Sequence, residues 1–173
     1  MVSISIVIVN YNTKEYLSRC VRSIFESGIS IDKLQLIIID NASQDSSLKI
    51  TQELISEKSL SADIIYNPKN LGFSKALNMG LKKCSGDYIC ILNPDTYIEK
   101  TCFSKLEKYM NKNLQIGCIT PKIVNSNGHL QISCKRSLPT IKSSIFKVLG
   151  LDKIFMKNKT ISAYNLLYLD EDD

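Results

Sequence analysis

Four short runs of apolar residues, each followed by a polar turn and then by a helical pattern, constrain the fold of this 173-residue chain more than any other feature. The runs cover residues 3–9, 34–39, 64–66 and 88–92 and are rich in β-branched side chains. Continuous rather than alternating hydrophobicity is typical of strands that are buried on both faces of a parallel sheet. Strands that alternate with amphipathic helices predict an α/β fold, in which helices flank a mostly parallel sheet.

The helices are predicted from their start signals and apolar spacing. Asn12 and Glu15 are spaced as a capping box for the first helix, the second begins at Ser46 or Ser47, and Ser74 is the predicted cap of the third. The apolar spacing of residues 103–110 predicts a fourth helix.

The last third of the chain has a different pattern. A strand is predicted near residues 116–119, and a β-hairpin over residues 122–134 with a type I′ turn centred on Asn127-Gly128. The basic segment 135–159 carries apolar residues at helical spacing, which predicts an amphipathic helix. Its apolar side can pack on the sheet, which is the preferred interpretation, or it can lie on an anionic membrane surface.

Polar turns follow the first, second and fourth predicted strands, at residues 10–12, 40–45 and 93–95. The carboxyl ends of parallel strands meet at one edge of the sheet, and an open α/β sheet binds its ligand at that edge. The sequence therefore predicts that polar side chains collect where a ligand would bind.

Asp95 is the candidate metal ligand. It emerges in the turn after an apolar strand, where a carboxylate can hold Mg²⁺ or Mn²⁺ together with the phosphates of a substrate. The alternative is an ordinary Asn-Pro-Asp turn whose side chains satisfy nearby backbone groups.

Candidate ligand contacts follow the other strands. Asp40 can accept hydrogen bonds from a base or a ribose, or it can cap the next helix. Tyr11 can stack on a planar base, or it can be a packing residue. Before the third helix, Gly72 permits a phosphate to approach free backbone amides, and Lys75 adds positive charge.

Taken together, four segments carry a specific combination of motifs. They read Ile6-Val-Ile-Val-Asn-Tyr-Asn12, Ile37-Ile-Ile-Asp-Asn-Ala-Ser-Gln-Asp45, Asn67-Pro-Lys-Asn-Leu-Gly-Phe-Ser-Lys-Ala-Leu-Asn-Met-Gly80 and Gly86-Asp-Tyr-Ile-Cys-Ile-Leu-Asn-Pro-Asp-Thr96. In order and spacing this combination resembles the family-2 inverting glycosyltransferases, and within them the bacterial rhamnosyltransferase-like branch. The resemblance implies the GT-A fold, a Rossmann-like, mostly parallel sheet flanked by helices.

The resemblance also implies a role for each matching residue. Tyr11 would stack on the nucleobase, Asp40 would hydrogen-bond to it, and Asp95 would ligate the metal. Asn93 stands where the family usually has the first acid of its DxD motif. The implied contacts to the nucleotide sugar are Val9, Tyr11, Asp40, Asn70, Gly72, Lys75 and Asn93.

The implied activity is transfer of a sugar, in this branch rhamnose, from a dTDP- or UDP-sugar to a saccharide or lipid-linked acceptor in bacterial surface polysaccharide synthesis. An inverting transferase needs a general base, which in the family follows a Trp-containing segment, and this sequence has no Trp. We therefore expect a nucleotide-sugar-binding core in residues 1–134. Residues 135–173 would form a basic helical segment and acidic tail of an incomplete acceptor part. The alternative is a truncated, catalytically inert nucleotide-sugar-binding module.

Charge and cysteine content narrow the partners and the compartment. The net charge of +5 suits an anionic ligand, and because no nucleic-acid-binding motif accompanies it, no nucleic-acid partner is expected. Six cysteines without a CxxC pair or a secretory leader indicate reduced thiols and a cytoplasmic protein. If the basic segment lies on a membrane, the protein is peripheral at its inner face.

Overall fold

A computed structural model describes residues 3–58, 60–131, 134 and 137–169 of the chain. Its centre is a parallel sheet of four strands, namely β1 (Ile4–Asn10), β2 (Leu34–Asp40), β3 (Asp63–Tyr66) and β4 (Tyr88–Leu92). The strand order is β3-β2-β1-β4. The four strands predicted from the apolar runs and the predicted α/β fold are confirmed.

A helix follows each strand, and the helices cover both faces of the sheet. The helices are α1 (Tyr16–Glu26), α2 (Ser47–Glu57), α3 (Phe73–Leu81) and α4 (Cys102–Lys112). On one face, Ile6 and Ile38 are packed in a core cluster with residues of α1, α2 and α4, such as Val21. On the other face, Val7 and Ile39 form a smaller cluster with residues of α3. Burial on both faces explains why the strands read as continuous apolar runs.

The register of the central strands sets the site. β1 and β2 pair in parallel from Ile4 beside Leu34 to Asn10 beside Asp40. β4 pairs with the other side of β1. The polar residues that end these strands therefore lie at the same edge of the sheet.

Gly86, before β4, lies against the backbone of β1. A Cβ added there would be 2.7 Å from the amide nitrogen of Ser5, and the amide of Gly86 donates to Ser5 Oγ at 2.9 Å. The closeness of these two backbones excludes any side chain at position 86.

The predicted caps of two helices are wrong. Glu15, not Asn12, precedes α1, and its side chain makes no capping bond. Asn12 has a φ of +53° and its Oδ1 accepts from the backbone amide of Gln44 instead. Gly72, not Ser74, precedes α3. In both places contacts with the neighbouring loop replace the local cap.

The chain divides into two compact units, Met1–Lys112 and Asn113–Asp173. The sheet and all the predicted ligand contacts lie in the first. The donor-binding core was predicted to end at residue 134. That boundary describes ligand binding and not how the chain folds into compact units, so it stays a prediction.

The second unit contains the helices α5 (Ile141–Val148) and α6 (Leu151–Ile154), followed by a 3-10 turn, Ala163–Asn165. The amphipathic helix predicted in the basic segment is present as α5, and Gly150, with a φ of +70°, separates it from the short α6. Within the described parts of the chain, no helix is long and apolar enough to cross a membrane.

The predicted strand and hairpin of the second unit are wrong in detail. Residues 116–119, all of them described, form no strand. Residues 132 and 133 of the predicted hairpin lie outside the described residues, and in its described part the strands pair through one antiparallel bridge, between Val124 and Leu130. Its turn is closed by a hydrogen bond from the amide of Gly128 to the carbonyl of Asn125, and Gly128 alone in the turn has a positive φ. A type I′ turn needs positive φ at two residues, so the turn is of another type.

Candidate functional site

The candidate site lies at the carboxyl edge of the sheet in the first unit, where β1, β2 and β4 end and where the turn after β2 contacts the segment before α3. Asn10, at the end of β1, organises this edge and is fully buried. Its side-chain Nδ2 donates to Oδ1 of Asp40 at 2.8 Å and to the hydroxyls of Ser43 and Ser47 at 3.0 Å each. Its Oδ1 accepts from the hydroxyl of Thr13. One amide therefore joins the turn after β1 to the turn after β2.

Asp40 is 6% exposed, and both of its carboxylate oxygens have partners. Oδ1 accepts from Asn10, and Oδ2 accepts from the backbone amide of Ser43 at 3.1 Å. The structure thus places Asp40 as an acceptor inside its own turn. It does not cap the next helix, because Ser46 precedes α2 and no side chain caps that helix. Each oxygen has a second lone pair, so a hydrogen bond to a ligand stays a prediction.

Three asparagines that the sequence reasoning missed as a group tie the turn after β2 to the segment before α3. Asn41 Nδ2 donates to Oδ1 of Asn70 at 2.8 Å. Asn41 Oδ1 accepts from Nδ2 of Asn67 at 3.1 Å and from the amide of Leu71 at 3.0 Å. The only sequence signal was a cluster of Asn residues after two strands, because the partners are far apart in the chain. This network fixes the backbone at the start of α3.

The first turn of α3 presents unpaired backbone donors. Gly72 precedes the helix with a φ of +78°, and its amide donates to Oδ1 of Asn70 at 2.9 Å. Among the described residues, the amides of Phe73, Ser74 and Lys75 have no hydrogen-bond partner. Free amides at a helix amino end and the exposed Lys75 side chain form a suitable environment for a phosphate.

Asn93 and Asp95 follow β4 and are exposed. The carbonyl of Asn93 accepts from the amide of Thr96 at 3.2 Å and from Sγ of Cys20 at 3.6 Å, which shapes the turn. Within the part of the chain that the structure describes, no hydrogen bond or salt bridge engages the carboxylate of Asp95. The ordinary-turn interpretation, in which this carboxylate satisfies the backbone, is therefore disfavoured.

The residues present fit a divalent cation only if a bound nucleotide supplies part of its coordination. No group of three or more His, Cys, Asp or Glu among the described residues could hold a metal by itself. Mg²⁺ and Mn²⁺ bound with a nucleotide commonly need just one or two carboxylates, because substrate phosphates supply the other oxygens. Asp95 alone suits that shared coordination.

Tyr11 and Val9 differ in their surroundings. The ring of Tyr11 is 48% exposed, so it is not a core packing residue. Val9 is half-buried against the smaller core cluster beside α3. Of the two, the structure leaves Tyr11 accessible for stacking.

Two cysteines lie behind this edge in the main core cluster. Burial raises the pKa of the Cys20 thiol to about 12, and the nearby Cys90 adds to the effect. Burial also raises the pKa of Cys90 to about 11, with a further contribution from Cys102. These thiols stay protonated at neutral pH, so neither is a nucleophile.

A sequence model of one protein family, described as "Glycosyl transferase family 2", matches residues 5–172, nearly the whole chain. The chain belongs to this family. The predicted family membership is therefore confirmed.

Two curated relatives illustrate the likeness of this family-2 chain. An uncharacterized glycosyltransferase of Haemophilus influenzae is 37% identical over 112 residues, which are 65% of this chain and 42% of the relative. The poly(ribitol-phosphate) β-N-acetylglucosaminyltransferase TarS of Staphylococcus aureus is 22% identical over 176 residues, covering 99% of this chain and 30% of TarS. The chain spans less than half the length of either relative.

Solved structures confirm the GT-A fold. TarS 1–349 in complex with UDP-GlcNAc matches with a TM-score of 0.59 at 19% identity, over 65% of this chain and 32% of that one. The mannosyltransferase PcManGT from Pyrobaculum calidifontis, in complex with GDP-Man and Mn²⁺, matches with a TM-score of 0.58 at 19% identity, over 62% and 32%. At such identity the likeness concerns the fold alone, and the rhamnosyltransferase-like branch stays a prediction.

Proposed function

We propose that this chain binds a nucleoside-diphosphate sugar at the carboxyl edge of its sheet, as the donor site of an inverting, metal-dependent glycosyltransferase. The observation that carries the proposal is the arrangement of that edge. An accessible ring (Tyr11), a buried acceptor (Asp40), free amides at the start of α3 and an unengaged carboxylate (Asp95) follow strands that end at the same edge.

Each part suits a different portion of such a donor. Tyr11 stacks on the base, and Asp40 accepts a hydrogen bond from it. Asn70, Gly72 and Lys75 bring hydrogen-bond donors and positive charge to the diphosphate. Asp95 holds Mg²⁺ or Mn²⁺, with Asn93 beside it, and the bound cation neutralises charge on the departing diphosphate.

The donor base that we propose is a pyrimidine, as in dTDP or UDP. TarS, a family member with the same fold, was crystallised with UDP-GlcNAc, which supports this choice, whereas PcManGT was crystallised with GDP-Man. Rhamnose as the transferred sugar and a saccharide or lipid-linked acceptor rest on the sequence resemblance. TarS is named a poly(ribitol-phosphate) β-N-acetylglucosaminyltransferase, which supports a role of this chain in bacterial surface polysaccharide synthesis.

No described residue is assigned as the general base. The acidic residues 170–173 lie outside the described residues and are not proposed for this role. We propose residues 1–134 as the donor-binding core, and the cytoplasm as the site of action, at the inner face of the membrane. All six cysteines are free thiols, which supports a reducing compartment.

Calorimetric titration with UDP, dTDP and GDP, each with and without Mn²⁺, tests the proposal. We expect a pyrimidine diphosphate to bind at least about tenfold more tightly with Mn²⁺ than without it, and more tightly than GDP. Absence of any nucleotide binding would overturn the proposed function. A second assay, release of nucleoside diphosphate from donor in the presence of a lipid-linked acceptor, separates a transferase from an inert binding module.

A further inference from the structure

The second unit exposes many of its apolar side chains, and others, such as Phe146 and Leu151, are only half-buried. Among the described residues of this unit, the buried side chains are those of Ser143, Asp152 and Ser162. One oxygen of Asp152, Oδ1, has no hydrogen-bond partner within the described part of the chain. The first unit, in contrast, buries its isoleucines, leucines and valines.

Helix α5 has its polar side turned inward. Its capping box pairs Thr140 with Ser143, and Ser143 is 3% exposed. Ile141, Ile145 and Val148, spaced by four and three residues, lie on one side of the helix. Their exposed fractions are 82%, 51% and 86%. Helix α5 therefore has an apolar side that is not covered by other described residues of the second unit.

Further exposed apolar residues lie at the end of α6, which contacts α5, and directly after it. Ile154, Phe155 and Met156 are all at least half exposed. We call the six side chains of Ile141, Ile145, Val148, Ile154, Phe155 and Met156 the α5–α6 surface. Single exposed apolar residues are ordinary, whereas an area of this kind marks a contact with an apolar environment.

Positive charge accompanies the α5–α6 surface. Residues 137–169 include five lysines and one acidic residue, Asp152, which is buried, and four acidic residues follow at 170–173, outside the described residues. Lys142, Lys153, Lys157 and Lys159 are exposed, and Lys147 lies over the ring of Tyr164 at 3.8 Å. Protein–protein interfaces are depleted in lysine, but lysines beside an apolar helix side are typical of helices that lie on anionic lipids.

We propose that the α5–α6 surface docks on an anionic lipid bilayer. The apolar side chains enter the boundary between headgroups and acyl chains, and the exposed lysines lie against lipid phosphates. This inference stands on the second unit alone and is independent of the proposed donor site.

Flotation of the full chain with vesicles tests the inference, without any nucleotide. Phosphatidylcholine vesicles with and without about one third phosphatidylglycerol provide the anionic and neutral surfaces. We expect binding to the anionic vesicles at least about tenfold stronger than to the neutral ones, because several lysines contribute. Equal binding to both, or binding to neither, would overturn the proposal.

Paired variants locate the surface. Ile141→Ser combined with Val148→Ser should reduce vesicle binding at least about tenfold, because two side chains lose their insertion into the bilayer. Leu114→Ser is the matched control, since Leu114 is 86% exposed in the same unit but outside the surface. Lys153→Glu with Lys157→Glu should remove the preference for anionic vesicles, whereas Lys108→Glu with Lys112→Glu on α4 should keep it.

Light scattering at increasing protein concentration tests the alternative that a second copy of the chain covers the α5–α6 surface. If Ile141→Ser with Val148→Ser dissociates a dimer of the parent chain while vesicle binding is unchanged, the surface is an interface between two copies and the proposal is wrong. Circular dichroism confirms that each variant is folded, which is expected because all the substituted side chains are exposed.

Discussion

Asn10 and Asp40 end adjacent parallel strands, and Nδ2 of Asn10 donates to Oδ1 of Asp40 at 2.8 Å. Both side chains are buried, at 0% and 6% exposed. The same amide also reaches the hydroxyls of Ser43 and Ser47. The carboxylate proposed to contact the base is therefore held in position by the protein before a ligand binds, which lowers the cost of ordering the site.

Replacing Asn10 by alanine should lower both stability and nucleotide affinity. The change removes the partner of Oδ1 of the buried Asp40, whereas the hydroxyl of Ser47 still donates to Asp45. One unsatisfied buried group costs about 1–3 kcal/mol in the free energy of unfolding. Urea denaturation measures this loss. Asn78→Ala, on the exposed side of α3, is the control and should change stability by less than about 0.5 kcal/mol. Equal effects of the two changes would contradict the role assigned to Asn10.

The sequence was enough to predict the sheet, because burial on both faces leaves a signal that depends on each strand alone. Residues 88–92, for example, were predicted with the bounds that the structure has. The polar network was not predictable in the same way. Asn41 and Asn70 are 29 positions apart, so their hydrogen bond depends on how two loops meet. The caps at Asn12 and Ser74 failed for the same reason, since contacts between loops prevailed over local capping preferences.

The second unit was less predictable for another physical reason. Its apolar residues are exposed, so periodicity indicated helices but not what covers them. Gly150 was the local signal that divided the predicted helix into α5 and α6. Two properties of the candidate site residues depend on tertiary structure and were not predictable from the sequence. These are the exposure of the Tyr11 ring and the absence of a partner for the Asp95 carboxylate among the described residues.

Tyr11→Ala should weaken binding of a pyrimidine diphosphate by about threefold to tenfold, since an aromatic contact contributes about 0.5–1.5 kcal/mol beyond its area. Tyr11→Phe retains the ring and should bind nearly as well as the parent chain. Tyr16→Ala is the matched control, because Tyr16 is 50% exposed but lies on α1. Calorimetry measures all three affinities. If Tyr16→Ala weakened binding as much as Tyr11→Ala, stacking by Tyr11 would be the wrong explanation.

Asp95→Asn should remove the effect of Mn²⁺ on nucleotide binding while leaving the metal-free affinity nearly unchanged. A neutral amide is a poorer ligand for a hard cation than a carboxylate. Asp87→Asn provides a matched control, because Asp87 precedes β4 and Asp95 follows it. Titrations with and without Mn²⁺ measure the coupling. A variant that keeps the parent chain's response to Mn²⁺ would show that Asp95 is not the metal ligand.

The free energy of unfolding should decrease as the pH rises above about 9. The pKa of Cys20 is raised from 9.0 to about 12 in the folded chain, so between these values the unfolded chain releases a proton that the folded chain keeps. One such proton gives a slope of up to about 1.4 kcal/mol per pH unit, with stability lost as pH rises.

Cys20→Ala should make this slope shallower between pH 9 and 11, even though the smaller side chain lowers stability at every pH. A slope remains because the pKa of Cys90 is also raised, to about 11. Cys118→Ala is the control, because Cys118 is exposed. Urea denaturation at several pH values measures both slopes. An unchanged slope in Cys20→Ala would mean that other groups determine the alkaline behaviour.

Gly86→Ala and Gly117→Ala should change stability in opposite directions. A Cβ at position 86 would lie 2.7 Å from the amide nitrogen of Ser5 and 2.9 Å from the carbonyl carbon of Ile4. These are backbone atoms of a buried strand, so they cannot move aside as a flexible side chain would. We expect a loss of about 1–3 kcal/mol in the free energy of unfolding, as for other overpacked sites.

A Cβ at position 117 meets no atom within 4 Å. Alanine there restricts the unfolded chain and should stabilise the protein by about 0.4–1 kcal/mol. Thermal and urea denaturation of both variants measures the contrast. Because the two substitutions have the same effect on the unfolded chain, a neutral Gly86→Ala would mean that β1 and the start of β4 are not packed backbone to backbone.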